Sequence, residues 1–164
     1  MTNSEKPPEK IRVSLGSAIV LGLLNGKLDA APTTAYLMTF SEGKCRANCG
    51  FCPQARNSRS RADMLSRVSW PAFATARVLD EIENVVRKDV IKRVCIQALN
   101  YPEVLTHLQT IVKAVYQRVK IPISVSCQPL NIENIRRLAE AGAERIGIPI
   151  DAATEEIFNK VKGA

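Results

Sequence analysis

The sequence predicts an α/β fold built on a parallel sheet, and three observations lead there. From Thr33 onward, short strand-like runs alternate with apolar-periodic segments of ten or more residues. Four such units are visible, with right-handed crossovers expected between them. The polar residues richest in chemistry follow the strand-like runs, where parallel β/α sheets place their ligands. At 164 residues and 46% hydrophobic, the chain can bury one sizeable core, so one domain is the expectation.

Each element has its own signal. The first ten residues, MTNSEKPPEK, are polar and Pro-rich and predict a flexible tail ahead of a domain over 11–164. They lack the apolar stretch of a signal peptide, and no later run approaches the roughly 20 apolar residues of a membrane span. The chain therefore reads as soluble and cytoplasmic, with no membrane partner. RVSLGSAIVLGLLNGKL is apolar with small residues and stops at Gly26, which predicts a short helix. Thr33–Phe40 is β-branched and aromatic, a buried strand running into a cysteine loop. Asn57–Arg67 is polar and basic. Ser69 then serves as N-cap, with Pro71 in the first turn, of a helix reaching about Lys88 whose apolar stripe is Phe73, Val78, Leu79, Ile82 and Val86. Ile91–Gln97 reads as a strand, Pro102–Val119 as a helix and Ile121–Cys127 as a strand. Asn131–Ala141 is a helix closed by Gly142, Glu144–Ile150 a fourth strand, and Asp151 caps a last helix ending near Gly163.

Lys and Arg outnumber Asp and Glu by 23 to 16. A solvated basic surface explains this excess as it stands; an acidic protein or anionic metabolite is the functional alternative. With no aromatic interleaving or recognisable binding motif, no nucleic-acid partner is expected. Arg46, Arg56, Arg59, Arg61 and Arg67 crowd around the cysteine loop and would suit an anionic substrate or an acidic partner.

That loop, KCRANCGFCPQ (Lys44–Gln54), holds three of the five cysteines within eight positions. An odd cysteine count without a secretory signal argues for reduced thiols that bind metal, react or pack. Structural zinc needs four ligands, and this chain has no second cysteine pair near by; its one His, His107, falls inside an expected helix. A four-iron cluster held by three thiolates leaves one iron without a protein ligand, free for a cofactor. The polar, Gly-containing, Pro-terminated loop is unlike a set of cysteines packed in a core.

Cys45, Cys49 and Cys52, with Phe51 between the last two, match the C-x3-C-x2-C motif of the radical S-adenosylmethionine superfamily, and the chain from about Val13 resembles the start of that family's TIM-type (β/α) barrel. The resemblance implies that the three cysteines hold a 4Fe-4S cluster, that its open iron chelates S-adenosylmethionine, and that an electron donor protein supplies the electron that cleaves it to a 5′-deoxyadenosyl radical. It implies that the Phe51 backbone contacts adenine; the ring would do this or anchor the loop in the core. Gln97 and Ala98 occupy the place of the family's Gly-Gly-Glu turn, which binds the methionyl amino group. Asp151 matches a ribose-binding acid, with helix capping the plainer role.

Cys52-Pro53-Gln54 resembles biotin synthase, in which cysteines placed like Cys95 and Cys127 bind an auxiliary two-iron cluster that donates sulfur. On adjacent strands about 4.8 Å apart, two inward-facing thiols would share it; ordinary core packing is the alternative. TAYLMTFSEGKCRANCGFCPQAR, RVCIQALNYPE and SVSCQPL together look most like the biotin-synthase-related proteins that act as a two-protein lipoyl synthase in archaea. That implies an octanoylated carrier protein as substrate and a second radical SAM subunit; dethiobiotin is the alternative substrate. The family's barrel has at least six strands, so these four units are expected to be the first part of a longer enzyme, or a truncated remnant that binds a cluster without catalysis.

Overall fold

The computed structural model describes residues 6–162. In chain order the elements are β1 (Lys10–Val13), α1 (Leu15–Val20), β2 (Thr34–Thr39), β3 (Met64–Leu65), β4 (Val68–Ser69), β5 (Ala72–Ala74), α2 (Thr75–Arg87), β6 (Arg93–Gln97), α3 (Val104–Arg118), β7 (Ile123–Ser126), α4 (Ile132–Ala141), β8 (Arg145–Gly147) and α5 (Glu155–Lys162). Six strands form one sheet in the order β5-β1-β2-β6-β7-β8, and β3 and β4 form a separate hairpin. The β2, β6, β7 and β8 ladder is parallel throughout, as the alternation of elements requires.

Register decides which side chains meet. Leu37, Ile96, Val125 and Ile146 lie side by side across the parallel strands, and the first three are fully buried among α2, α3 and their neighbours. Because side chains alternate along a strand, the next row, Tyr36, Cys95, Ser124 and Arg145, faces the other way. Tyr36 is 41% exposed on that side. The sheet thus has one face packed under helices and one open face.

Three expectations are corrected, the third at the last helix. Lys10, the last residue of the expected tail, already belongs to a strand: it pairs with Ala74, and Ile11 pairs with both Thr39 and Phe73. The helix that follows is only six residues long, capped by Ser14 and ended before Gly22, whose φ of +69° breaks it well short of Gly26. The second correction concerns the start of α2. Ser69 belongs to the β3–β4 hairpin, Pro71 accepts a hydrogen bond from Val13 N, and Phe73 is a strand residue, so the helix starts at Thr75. Thr75 Oγ1 donates to the Pro8 carbonyl and its N–H to that of Glu9, stitching the helix to the segment before β1. The stripe inside α2 is Val78, Leu79, Ile82 and Val85.

The remaining elements sit where expected, one to three residues shorter at their ends. Asn131 Oδ1 accepts from Asn134 N at 2.9 Å, and Gly142 closes α4 at φ +115°. Asp151 does not cap α5: Thr154 does, its Oγ1 accepting from Ile157 N at 3.3 Å. The expected end of this helix at Gly163 lies outside the described residues.

Candidate functional site

The cysteine loop leaves the C-terminal end of β2 and is held by backbone pairing rather than by a core. Cys45 N donates to Gln54 O at 3.0 Å, Cys52 N to Cys49 O at 3.0 Å and Arg56 N to Ala47 O at 3.0 Å, folding the loop back on itself. Lys44 then acts as an internal clamp. Its ammonium donates to the carbonyls of Ser58 at 2.5 Å, Ser60 at 2.6 Å and Pro53 at 3.2 Å. Gln54, 1% exposed, donates through Nε2 to Ala62 O at 2.6 Å and Met64 O at 2.7 Å, joining the loop to the hairpin. Neither Lys44 nor Gln54 was legible as a site residue, since an ammonium that serves carbonyls distant in sequence leaves no local pattern.

Cys49 is buried, and Cys45 and Cys52 are half-buried. Burial pushes the Cys52 thiol up, and the neighbouring Cys49 and Cys45 add to the rise. Asn100 N lies 3.2 Å from Cys45 Sγ as donor, and Arg46 N donates to Asn100 O at 2.7 Å. The segment after β6 is therefore locked onto the first cysteine.

This same segment forms one wall of a cavity of about 390 Å³ above β6 and β7, where Arg46, Ala98, Asn100, Tyr101, Cys127 and Gln128 gather. Ala98 thus reaches the cavity, while Gln97 turns back to place Nε2 3.4 Å from Cys95 Sγ. Cys95 stands in the open-face row. Cys127, one residue past β7, is buried in the helix-side core, and burial raises its thiol pKa. As placed, the two thiols lie on opposite sides of the sheet rather than facing each other across it. Tyr101, buried and not among the expected site residues, has its hydroxyl 2.9 Å from His107 Nδ1, and burial pushes its pKa up to about 12.

The Phe51 ring is 62% exposed, so it does not anchor the loop in the core. It lies 5.9 Å from Lys162 Nζ, and Lys162 is also ion-paired to Asp151. Gly50 N donates to Val161 O at 2.8 Å. The end of α5 thereby brings the expected ribose acid and the cysteine loop together, with Asp151 held in a left-handed conformation at φ +58°.

Among the described residues, no three His, Cys, Asp or Glu side chains are grouped to close on a single metal ion. A polynuclear cluster asks for something else, since each sulfur meets its own iron, and a set of soft thiolates selects iron–sulfur chemistry over hard cations. Three thiols on one loop, one of them receiving an N–H from Asn100, fit that demand.

The profile of the Radical SAM superfamily matches residues 43–164, which includes the cysteine loop and every parallel strand after β2. The chain belongs to the radical SAM superfamily. Membership in the superfamily implies a 4Fe-4S cluster, S-adenosylmethionine and an electron donor. Comparison with curated proteins finds no match. Among the described residues, no helix of this radical SAM chain is long and apolar enough to cross a membrane.

Proposed function

We propose that this radical SAM chain works in sulfur insertion at unactivated C–H positions, as a cytoplasmic lipoyl synthase acting on an octanoyl chain carried by a protein lysine, together with a second radical SAM subunit. The observation that carries the radical part of this reading is the placement of the C-x3-C-x2-C loop at the C-terminal end of β2, bonded through Cys45 to the cavity wall at Asn100. The likeness of RVCIQALNYPE and SVSCQPL to the lipoyl synthase relatives supports the substrate.

Held by Cys45, Cys49 and Cys52, a 4Fe-4S cluster would supply the one-electron chemistry that opens S-adenosylmethionine for hydrogen abstraction from an unactivated carbon. The chain's own residues hold and orient. Cys45, Cys49 and Cys52 are the cluster ligands, and the Asn100 N–H steadies the Cys45 sulfur. The Phe51 backbone receives adenine, Gln97 and Ala98 offer backbone oxygens to the methionyl amino group, and Asp151 accepts from ribose hydroxyls once Lys162 releases it. Cys95 and Cys127, on opposite sides of the sheet, serve an auxiliary cluster only after the segment beyond β7 turns over. The parallel strands belong, in this reading, to a radical SAM β/α barrel.

Dethiobiotin is the second reading, favoured by the likeness of Cys52-Pro53-Gln54 to biotin synthase. Anaerobic incubation of the reconstituted chain and its partner subunit with S-adenosylmethionine, reductant and either octanoylated carrier or dethiobiotin separates the two. Sulfur found by mass spectrometry in the carrier supports lipoyl synthesis, and sulfur in biotin supports the alternative. A brown chromophore that never yields 5′-deoxyadenosine identifies a cluster-binding remnant.

A further inference from the structure

The outer flank of the cysteine loop carries a second concavity, of about 470 Å³, lined by Phe51, Cys52, Met64, Leu65 and Arg67 among others. It shares no lining residue with the cavity above β6 and β7. Its floor is apolar, and Cys52 is in its wall. Its surroundings are basic: between Gly43 and Trp70 the chain has six Lys or Arg and one carboxylate, Asp63, which is taken by Arg61 at 2.5 Å. Arg56, Arg59 and Arg67 are exposed with no carboxylate partner among the described residues. The β3–β4 hairpin presents Arg67 from a two-residue turn whose residues, Ser66 and Arg67, have φ of +51° and +63°. That turn form suits a tight hairpin but strains residues other than glycine and asparagine.

We propose that this flank is the docking surface for the electron donor, a small acidic electron-transfer protein, and that Cys52 is the point of electron delivery. The inference rests on the radical SAM reading and adds where the reductant binds. The cavity above β6 and β7, lined by Ala98 and Asn100, leaves room for a substrate away from this flank, whereas an electron needs only to reach a cluster thiolate. An apolar patch touching Cys52, with Arg67 in its lining and the exposed Arg59 next to the lining residue Ser60, meets that need, and opposite charge on the partner would steer the encounter. The step is balanced: one electron leaves the donor's reduced cofactor, the donor is oxidised by one electron, the cluster is reduced by one, and no bond or proton moves.

The test uses the full chain, anaerobically reconstituted, with reduced flavodoxin as the probe and cluster bleaching followed by stopped-flow absorbance. Arg59→Glu with Arg67→Glu is expected to slow flavodoxin-driven bleaching on the order of ten-fold at low salt and to flatten its salt dependence. Reduction by methyl viologen, a small cation that needs no docking, is expected to be unchanged. Arg59→Gln with Arg67→Gln gives an intermediate loss. Flavodoxin-driven bleaching equal to wild type overturns the proposal, and so does a charge-reversed chain that loses only its affinity for an octanoylated carrier. A wild-type chain that methyl viologen cannot bleach contradicts the radical SAM reading itself, and the docking surface falls with it.

Discussion

Lys44 stands one position before the first cysteine and serves three carbonyls between Pro53 and Ser60, so one ammonium holds both sides of the loop. Lys44→Met removes three charge-assisted bonds, and a net loss of about 2 kcal/mol of local stability is expected, within the range of one hydrogen bond to a charged group. Hydrogen exchange across residues 53–62 checks it: faster exchange there with an unchanged sheet is the expected result. Tyr101 supports a second prediction. With its folded pKa at about 12 and its ordinary value near 10, the unfolded chain ionises first, so this residue's share of stability is complete below pH 10 and declines as pH climbs toward 12. Tyr101→Phe is expected to flatten that slope in alkaline denaturation. The chemistry of the site was legible at this scale because thiol spacing is chemistry written in residue type. Phe51 was legible only by half, since sequence gives the aromatic type and not that its ring stands in solvent. Asp151 was misread as a cap because its ion pair with Lys162 depends on a fold-back that no local pattern records.

Among the elements, the parallel strands and α4 could be read because each reports on itself: β-branched runs for β2, β6 and β7, and Asn131 with Gly142 at the ends of α4. β1 and β5 could not. β1 exists because β2 and β5 offer backbone partners on its two sides, as in Ile11 between Thr39 and Phe73, and β5 because β1 does; the apolar residues before α2 imitate a helical stripe until that pairing is known. Gly142 gives the sharpest prediction for an element. A Cβ there would lie 2.5 Å from Tyr116 Cγ, and its φ of +115° is strained for any side chain. Gly142→Ala is expected to cost about 2 kcal/mol or more, read as a lower midpoint in urea with an unchanged slope. An equal midpoint would mean that α4 ends differently.

Across the whole molecule, charge and apolar exposure are unevenly placed. The basic excess gathers at the cysteine loop, while Ile148, at 42%, and Ile150, at 73%, are exposed beside β8, which pairs with β7 on one side only among the described residues. An edge strand with exposed isoleucines predicts concentration-dependent self-association, and Ile150→Lys is expected to reduce it in sedimentation velocity. The proposed function turns on the cysteine loop, where three thiols after one strand, one of them bonded to Asn100 beyond the neighbouring strand, are proposed to hold the cluster that opens S-adenosylmethionine. Anaerobic reconstitution with iron and sulfide, followed by incubation with S-adenosylmethionine and dithionite, tests it most directly. The account predicts a brown chain with about four irons, formation of 5′-deoxyadenosine, and loss of both in Cys45→Ser, Cys49→Ser and Cys52→Ser. A colourless chain that forms no 5′-deoxyadenosine would contradict it.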